Sequence, residues 1–237
     1  MTRRKFIKPA AAVAAFAAII LAGMLNSSPL VKATDDDDDD RNESKIQRGF
    51  EIAPVPLNLE GKNRALVGLG SYIVNAQGDC NGCHGAGPET EFVPGGNPYF
   101  GEHPEKINPA TYLGGGRDFG PFPGPGPFPG PGPFPHIVSR NLTPDKTGRP
   151  EGGHTFSEFV QIIRTGVDMD HLHPTCTGAP TGSCLPLPFD GTRLQIMPWP
   201  VYKNMTDHDL RAIYEYLRAI PCIAGPPAPD PLHNDCS

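Results

Sequence analysis

The chain has 237 residues, with 30 Pro, 28 Gly and 38% hydrophobic residues, a balance that favours one domain with long loops over two ordinary cores. With 20 Lys and Arg against 26 Asp and Glu its formal charge is −6, which argues against nucleic acid or anionic lipid as partners.

Residues 1–33 read as a targeting segment and stand apart from the fold. Arg3, Arg4, Lys5 and Lys8 make a basic start, and an apolar run over 9–25 follows. Val31-Lys32-Ala33 then places small residues where a signal peptidase cuts. The start also looks like a twin-arginine signal. The run of about 17 residues sits at the short limit for a membrane span, so the alternative to a cleaved signal peptide is an N-terminal membrane anchor. Both place the domain outside the cytoplasm, in the periplasm or an equivalent compartment. Cleavage after Ala33 leaves 15 Lys and Arg against 26 Asp and Glu, a formal charge of −11. Residues 34–60, opened by the run Asp35 to Asp40, read as an acidic disordered leader. A calcium-binding role for the run lacks any surrounding EF-hand pattern.

Helical periodicity begins at Asn63 and lasts to Gln77, with Leu66, Leu69, Tyr72 and Ile73 on one face and Gly78 as the stop. Two residues later stands Cys80-Asn81-Gly82-Cys83-His84, a C-x-x-C-H pentapeptide. Two thiols at this spacing can add to the two vinyl groups of a haem, and the adjacent imidazole can coordinate its iron. A thioredoxin-type redox pair would follow a strand in a βαβ pattern, and a zinc site needs a second ligand pair. The expected cofactor is therefore one covalent haem c. A buried porphyrin also supplies the apolar surface that a chain poor in aliphatic residues lacks.

From His84 to about Asn141 no periodicity appears. PFPGPG occupies 121–126, repeats over 127–132 and begins again at 133–135, within a Pro/Gly-rich loop at 119–136. Pro and Gly propagate neither helix nor ladder. The loop either presents Phe122, Phe128 and Phe134 to a partner or serves as a spacer. A second helix is predicted over 156–165: Thr155 and Glu158 make a capping box, Phe156, Phe159, Ile162 and Ile163 form the apolar stripe, and Gly166 ends it. A third is capped by Thr206, carries Leu210, Ile213, Tyr214 and Leu217 at helical spacing, and ends before Pro221. With no strand candidates, the chain reads as mainly α.

Outside the pentapeptide, Cys176, Cys184, Cys222 and Cys236 allow three pairings. The local one, Cys176 with Cys184 and Cys222 with Cys236, is favoured, and it suits an oxidising compartment. An iron held by His84 has a second axial position, for which Met169, His171, His173, Met197, Met205 and several other histidines are candidates. Met197 stands out because it lies in Gln195-Ile196-Met197-Pro198-Trp199-Pro200, where proline lowers the entropy of ordering a loop. The competing reading is a methionine filling a core gap.

Several of these motifs, in this order, resemble class I c-type cytochromes, in particular the monohaem domains of bacterial membrane-associated dehydrogenase cytochrome subunits. The carriers are Gly70-Ser71-Tyr72-Ile73-Val74 leading into the pentapeptide; Ser139-Arg140-Asn141-Leu142-Thr143-Pro144-Asp145; the helix ending in Arg164-Thr165-Gly166; and Met197-Pro198-Trp199-Pro200-Val201-Tyr202 followed by the last helix. The resemblance implies a cytochrome c fold over 61–222, three main helices around one covalently bound haem, followed by a Pro-rich tail at 223–237. It further implies Cys80 and Cys83 as thioether donors, His84 as proximal iron ligand and Met197 as distal iron ligand. Gly70 would sit where the first and last helices cross, with Tyr214 or Tyr216 against it. Two departures from the pattern are the PFPGPG loop and the 176–184 loop, the latter bringing His171 and His173 near the distal segment. The expected function is single-electron transfer by an extracytoplasmic electron carrier that is not itself an enzyme. Its partners would be a periplasmic dehydrogenase or respiratory oxidase, with membrane association through the N-terminal segment. The alternative is a haem enzyme or gas sensor with an open or His-ligated distal site.

Overall fold

In this computed structural model residues 35–120, 136–177, 184–185, 189–228, 230 and 232–237 are described. The targeting segment over 1–33 and the PFPGPG repeats over 121–135 lie outside them. The chain divides into two units, Met1–Asp40 and Arg41–Ser237. Of the first only residues 35–40 are described, as the opening turns of a helix. The contacts below belong to the second.

That helix, α1 (Asp35–Ile52), corrects the expectation of a disordered leader over 34–60. The acidic run dominates the segment's average composition, but Ile46, Gly49 and Phe50 recur at i, i+3 and i+4 and give a narrow apolar stripe. The stripe packs on α2 (Arg64–Tyr72): a Cβ on Gly49 would lie 1.9 Å from the Gly68 oxygen, and Ser71 Oγ donates to the Gly49 carbonyl at 2.6 Å. Val55 is buried in the core, and the Asn58 amide donates to the Ala219 carbonyl at 2.8 Å. The segment after α1 is therefore part of the folded body.

Asn63 caps α2, its side chain accepting from the Leu66 amide. The helix continues to Gln77 as the periodicity predicts, but its last turn, Ile73–Gln77, widens to π geometry, and Gly78 closes it by donating to the Ile73 carbonyl at 2.8 Å. A π turn adds a residue per turn and re-aims whatever follows it, here the pentapeptide helix α3 (Cys80–His84). Helix α4 (Phe156–Thr165) carries the predicted capping box at Thr155 and Glu158 and ends on Gly166 in the left-handed region. The short α5 (Trp199–Tyr202) leads into α6 (Asp207–Leu217), capped by Thr206 as predicted.

Helices α2 and α6 cross at Gly70, where an added Cβ would stand 2.0 Å from the Ala212 oxygen and 2.7 Å from Tyr216 Cβ. Only a residue without a side chain allows that approach. Of the two tyrosines expected there it is Tyr216 that makes the contact. Its hydroxyl joins Tyr112 Oη (2.8 Å) and Asn75 Nδ2 (3.2 Å) in a buried polar group. Tyr214 instead packs edge-on against Phe156 of α4, at 5.4 Å between centroids, and its hydroxyl donates to the His154 carbonyl.

The described residues are mainly helical and contain no strand, only isolated bridges such as Asp118 with Val138 and Val167 with Arg193. Disulfides join Cys176 to Cys184 and Cys222 to Cys236, the favoured pairing. Among the described residues no helix is long and apolar enough to cross a membrane.

Candidate functional site

The pentapeptide occupies one short helix whose entry is set by Asp79 in the left-handed region (φ 44°). Asn81, between the cysteines, is buried, and its Oδ1 accepts from the Leu113 amide at 3.0 Å. At the other end the Gly115 amide donates to the His84 carbonyl at 2.6 Å. Arg117 donates to the Gly82 carbonyl. The helix is thus tied along its length to the 113–117 segment.

His84 Nδ1 lies 2.9 Å from the Arg140 carbonyl. A carbonyl only accepts, so Nδ1 carries the proton and donates, and the lone pair stands on Nε2. Burial holds the imidazole below its ordinary pKa, with the Arg140 carbonyl opposing the shift and the Arg140 charge adding to it. A neutral imidazole with its second nitrogen already hydrogen-bonded is what a metal-ligating histidine requires. Cys80 is pushed up to about 12, chiefly by burial and then by the charges of Asp79 and Cys83. At that value the thiol is protonated at neutral pH. Moreover, no group of three or more His, Cys, Asp or Glu among the described residues could hold a metal ion.

These residues open onto one predominantly apolar cavity that is partly open to solvent. Cys80, Cys83 and His84 line it, together with Ile73 and Val74 of the π turn, Leu142 of the 139–144 loop, and Phe159 and Ile163 of α4. Met197 lines the same cavity, as do Met205 and His173. Met169 and His171 are not among its lining residues, and His171 is exposed. Four side chains suited to haem c, two thiols, a preset imidazole and a thioether, thus line one apolar cavity. The residues fit the group.

The Met197 segment is held from α4. The Leu194 amide donates to the Gly166 carbonyl (2.8 Å), Arg193 Nη1 to the Thr165 carbonyl (2.6 Å), and Trp199 Nε1 to the Leu194 carbonyl (3.1 Å). Gly166 has φ 69°, and a Cβ there would sit 2.2 Å from the Trp199 ring. Arg164 spans from α4 to the Lys203 and Met205 carbonyls and to Asp207 Oδ1. The Arg-Thr-Gly step and the Met-Pro-Trp-Pro stretch therefore form one unit.

Sequence reasoning missed a charged cluster of which Arg140, Glu151 and Asp168 line the cavity. Arg140 pairs with both Asp168 and Asp170. Glu151, buried and in the left-handed region (φ 53°), is raised to about 7, mainly by burial, with Arg140 opposing and Asp168 adding. These residues come from separate segments with no shared periodicity, and only the Arg140 position lay in a quoted motif.

The chain is distantly similar to cytochrome c subunits of dehydrogenases. It is 30% identical over 156 residues, 65% of its length, to the gluconate 2-dehydrogenase cytochrome c subunit of Pantoea cypripedii. It is 28% identical over 152 residues to the cytochrome c subunits of the quinone alcohol dehydrogenases of Gluconacetobacter polyoxogenes and Komagataeibacter europaeus. The chain spans 23% and 21% of the length of these relatives. No family model matches the sequence, and no solved structure matches it.

Proposed function

We propose that this protein is an extracytoplasmic monohaem c-type cytochrome with a class I cytochrome c fold, passing single electrons to or from a periplasmic dehydrogenase or a respiratory oxidase. The observation that carries the reading is that Cys80, Cys83, His84 and Met197 line a single cavity. In it Cys80 and Cys83 would hold the haem covalently, and His84 through Nε2 and Met197 through its thioether would ligate the iron. A His/Met-ligated haem cycles between Fe(III) and Fe(II) without changing its ligands, which suits electron transfer rather than bond chemistry. The protein's part is to fix both ligands and to exclude water with the apolar wall. The two disulfides and the basic-apolar start support export, and the acidic surface favours a partner with a basic docking patch.

His173 in the cavity wall supports a second reading, in which it replaces Met197 as distal ligand. Visible spectra of the purified protein separate the two. The His/Met reading expects a Met–Fe(III) charge-transfer band and no carbon monoxide binding to the reduced form. Rapid stoichiometric carbon monoxide binding would sink it, and a low-spin spectrum without that band would favour His173.

A further inference from the structure

The proximal histidine, on whose assignment above this inference rests, takes its orientation from the Arg140 carbonyl. That carbonyl belongs to the 139–144 loop, which is pinned from two sides. Toward the pentapeptide, the Leu142 amide donates to the Leu113 carbonyl (2.9 Å) and the Gly116 amide to the Ser139 carbonyl (3.0 Å). The second side is the C-terminal tail. Asn234, 4% exposed, aims its amide nitrogen at the Thr143 carbonyl (3.1 Å), Thr143 Oγ1 (3.1 Å) and the Pro144 carbonyl (3.2 Å). Asn141 Nδ2 donates to the Ile223 carbonyl (2.7 Å), and the Ile223 amide donates to Thr143 Oγ1 (3.0 Å). The Lys146 amide donates to the Asp235 carbonyl at 2.7 Å. The Cys222–Cys236 disulfide closes the tail into a ring around these contacts. No tail residue is among those lining the cavity that Cys80, Cys83, His84 and Met197 share.

We propose that Asn234 and the Cys222–Cys236 ring form a positioning clasp for the proximal ligand: they hold the 139–144 loop so that the Arg140 carbonyl stays within hydrogen-bond reach of His84 Nδ1. The physical link is the strength of that bond. A firm Nδ1–H···O=C contact makes Nε2 a stronger donor, which favours the oxidised iron, and a slack one favours the reduced iron. Removing the clasp leaves buried loop carbonyls without their donors, and the loop must shift to reach water. The tail thus tunes a site it does not touch.

The test uses the full-length holoprotein. Exchange of the His84 Nδ1 proton is followed by NMR in the reduced state, alongside the midpoint potential, for Asn234→Ala and for Cys222→Ser with Cys236→Ser. Thr155→Ala, which removes a helix cap elsewhere, serves as a stability control. Exchange about tenfold faster in Asn234→Ala, as expected for losing one net hydrogen bond, together with a raised potential and no change in the control, supports the clasp. The cysteine pair should shift both further; if it does not accumulate, Asn234→Ala alone decides. Unchanged exchange and potential in Asn234→Ala overturn the proposal. Absence of ring-shifted His84 signals in the wild-type holoprotein would instead refute the ligand assignment itself, before any variant is compared.

Discussion

The segment that carries His84 is fastened by hydrogen bonds along its length to 113–117 and through the Arg140 carbonyl to a loop that is itself clasped by the tail. The segment that carries Met197 is irregular, held by a few bonds to the end of α4 and by the Trp199 ring packed over Gly166. The first wall's hydrogen bonding is over-determined, and loss of any one of those bonds should be absorbed or tuned. The second depends on a few contacts, so one wrong atom should open it.

The largest effect should come from the first wall's covalent anchor. Cys83→Ala is expected to leave a single thioether or abolish maturation, read as haem retained on a denaturing gel, and normal two-thioether haem content would contradict the assignment. Met197→Ala should keep the covalent haem but convert the reduced protein from no carbon monoxide binding to stoichiometric binding, with a lower potential. Gly166→Ala tests how the second wall is held. A left-handed backbone and a Cβ 2.2 Å from the Trp199 ring together should cost about 4 kcal/mol, seen as a fall in the denaturation midpoint.

Glu151 gives a pH handle on the charged cluster at the cavity. Its folded pKa of about 7 lies above the ordinary 4.5, so between these values the folded state binds the extra proton. Its contribution is fully present below pH 4.5 and lost as pH rises to about 7, amounting to at most about 3 kcal/mol. Glu151→Gln should therefore flatten the fall in stability between pH 5 and 7, measured by denaturant titration against wild type; parallel curves would exclude Glu151 as the source. The smallest effect is expected from Thr155→Ala, about 1 kcal/mol from a lost cap, with no change in the ligands' spectrum.

Much of this architecture was legible wherever a signal is local. The caps at Thr155 and Thr206, the stop at Gly166 and the pentapeptide each need only a few neighbouring residues. What escaped was non-local or diluted. The stripe of Ile46, Gly49 and Phe50 was hidden behind six aspartates. The π turn at Ile73–Gln77 leaves the apolar periodicity nearly unchanged. The partners of Arg140 lie on other segments, and the disulfide pairing of Cys222 and Cys236 gave no hint that Asn234 between them reaches back to Thr143.

The crossing at Gly70 has a consequence for how the chain folds. Asn75 and Tyr216, bonded beside that crossing, are 141 residues apart, whereas the two disulfides close loops of separation 8 and 14. Neither disulfide shortens the search that brings the first and last helices together, and closing a loop of that length costs on the order of 4 kcal/mol in chain entropy. In the proposed holoprotein, an iron held by His84 and Met197 is the cross-link that spans most of that distance. Ligation of Met197 should then be coupled to helix docking, and the rate at which the chain refolds around its attached haem should fall when residue 197 can no longer bind.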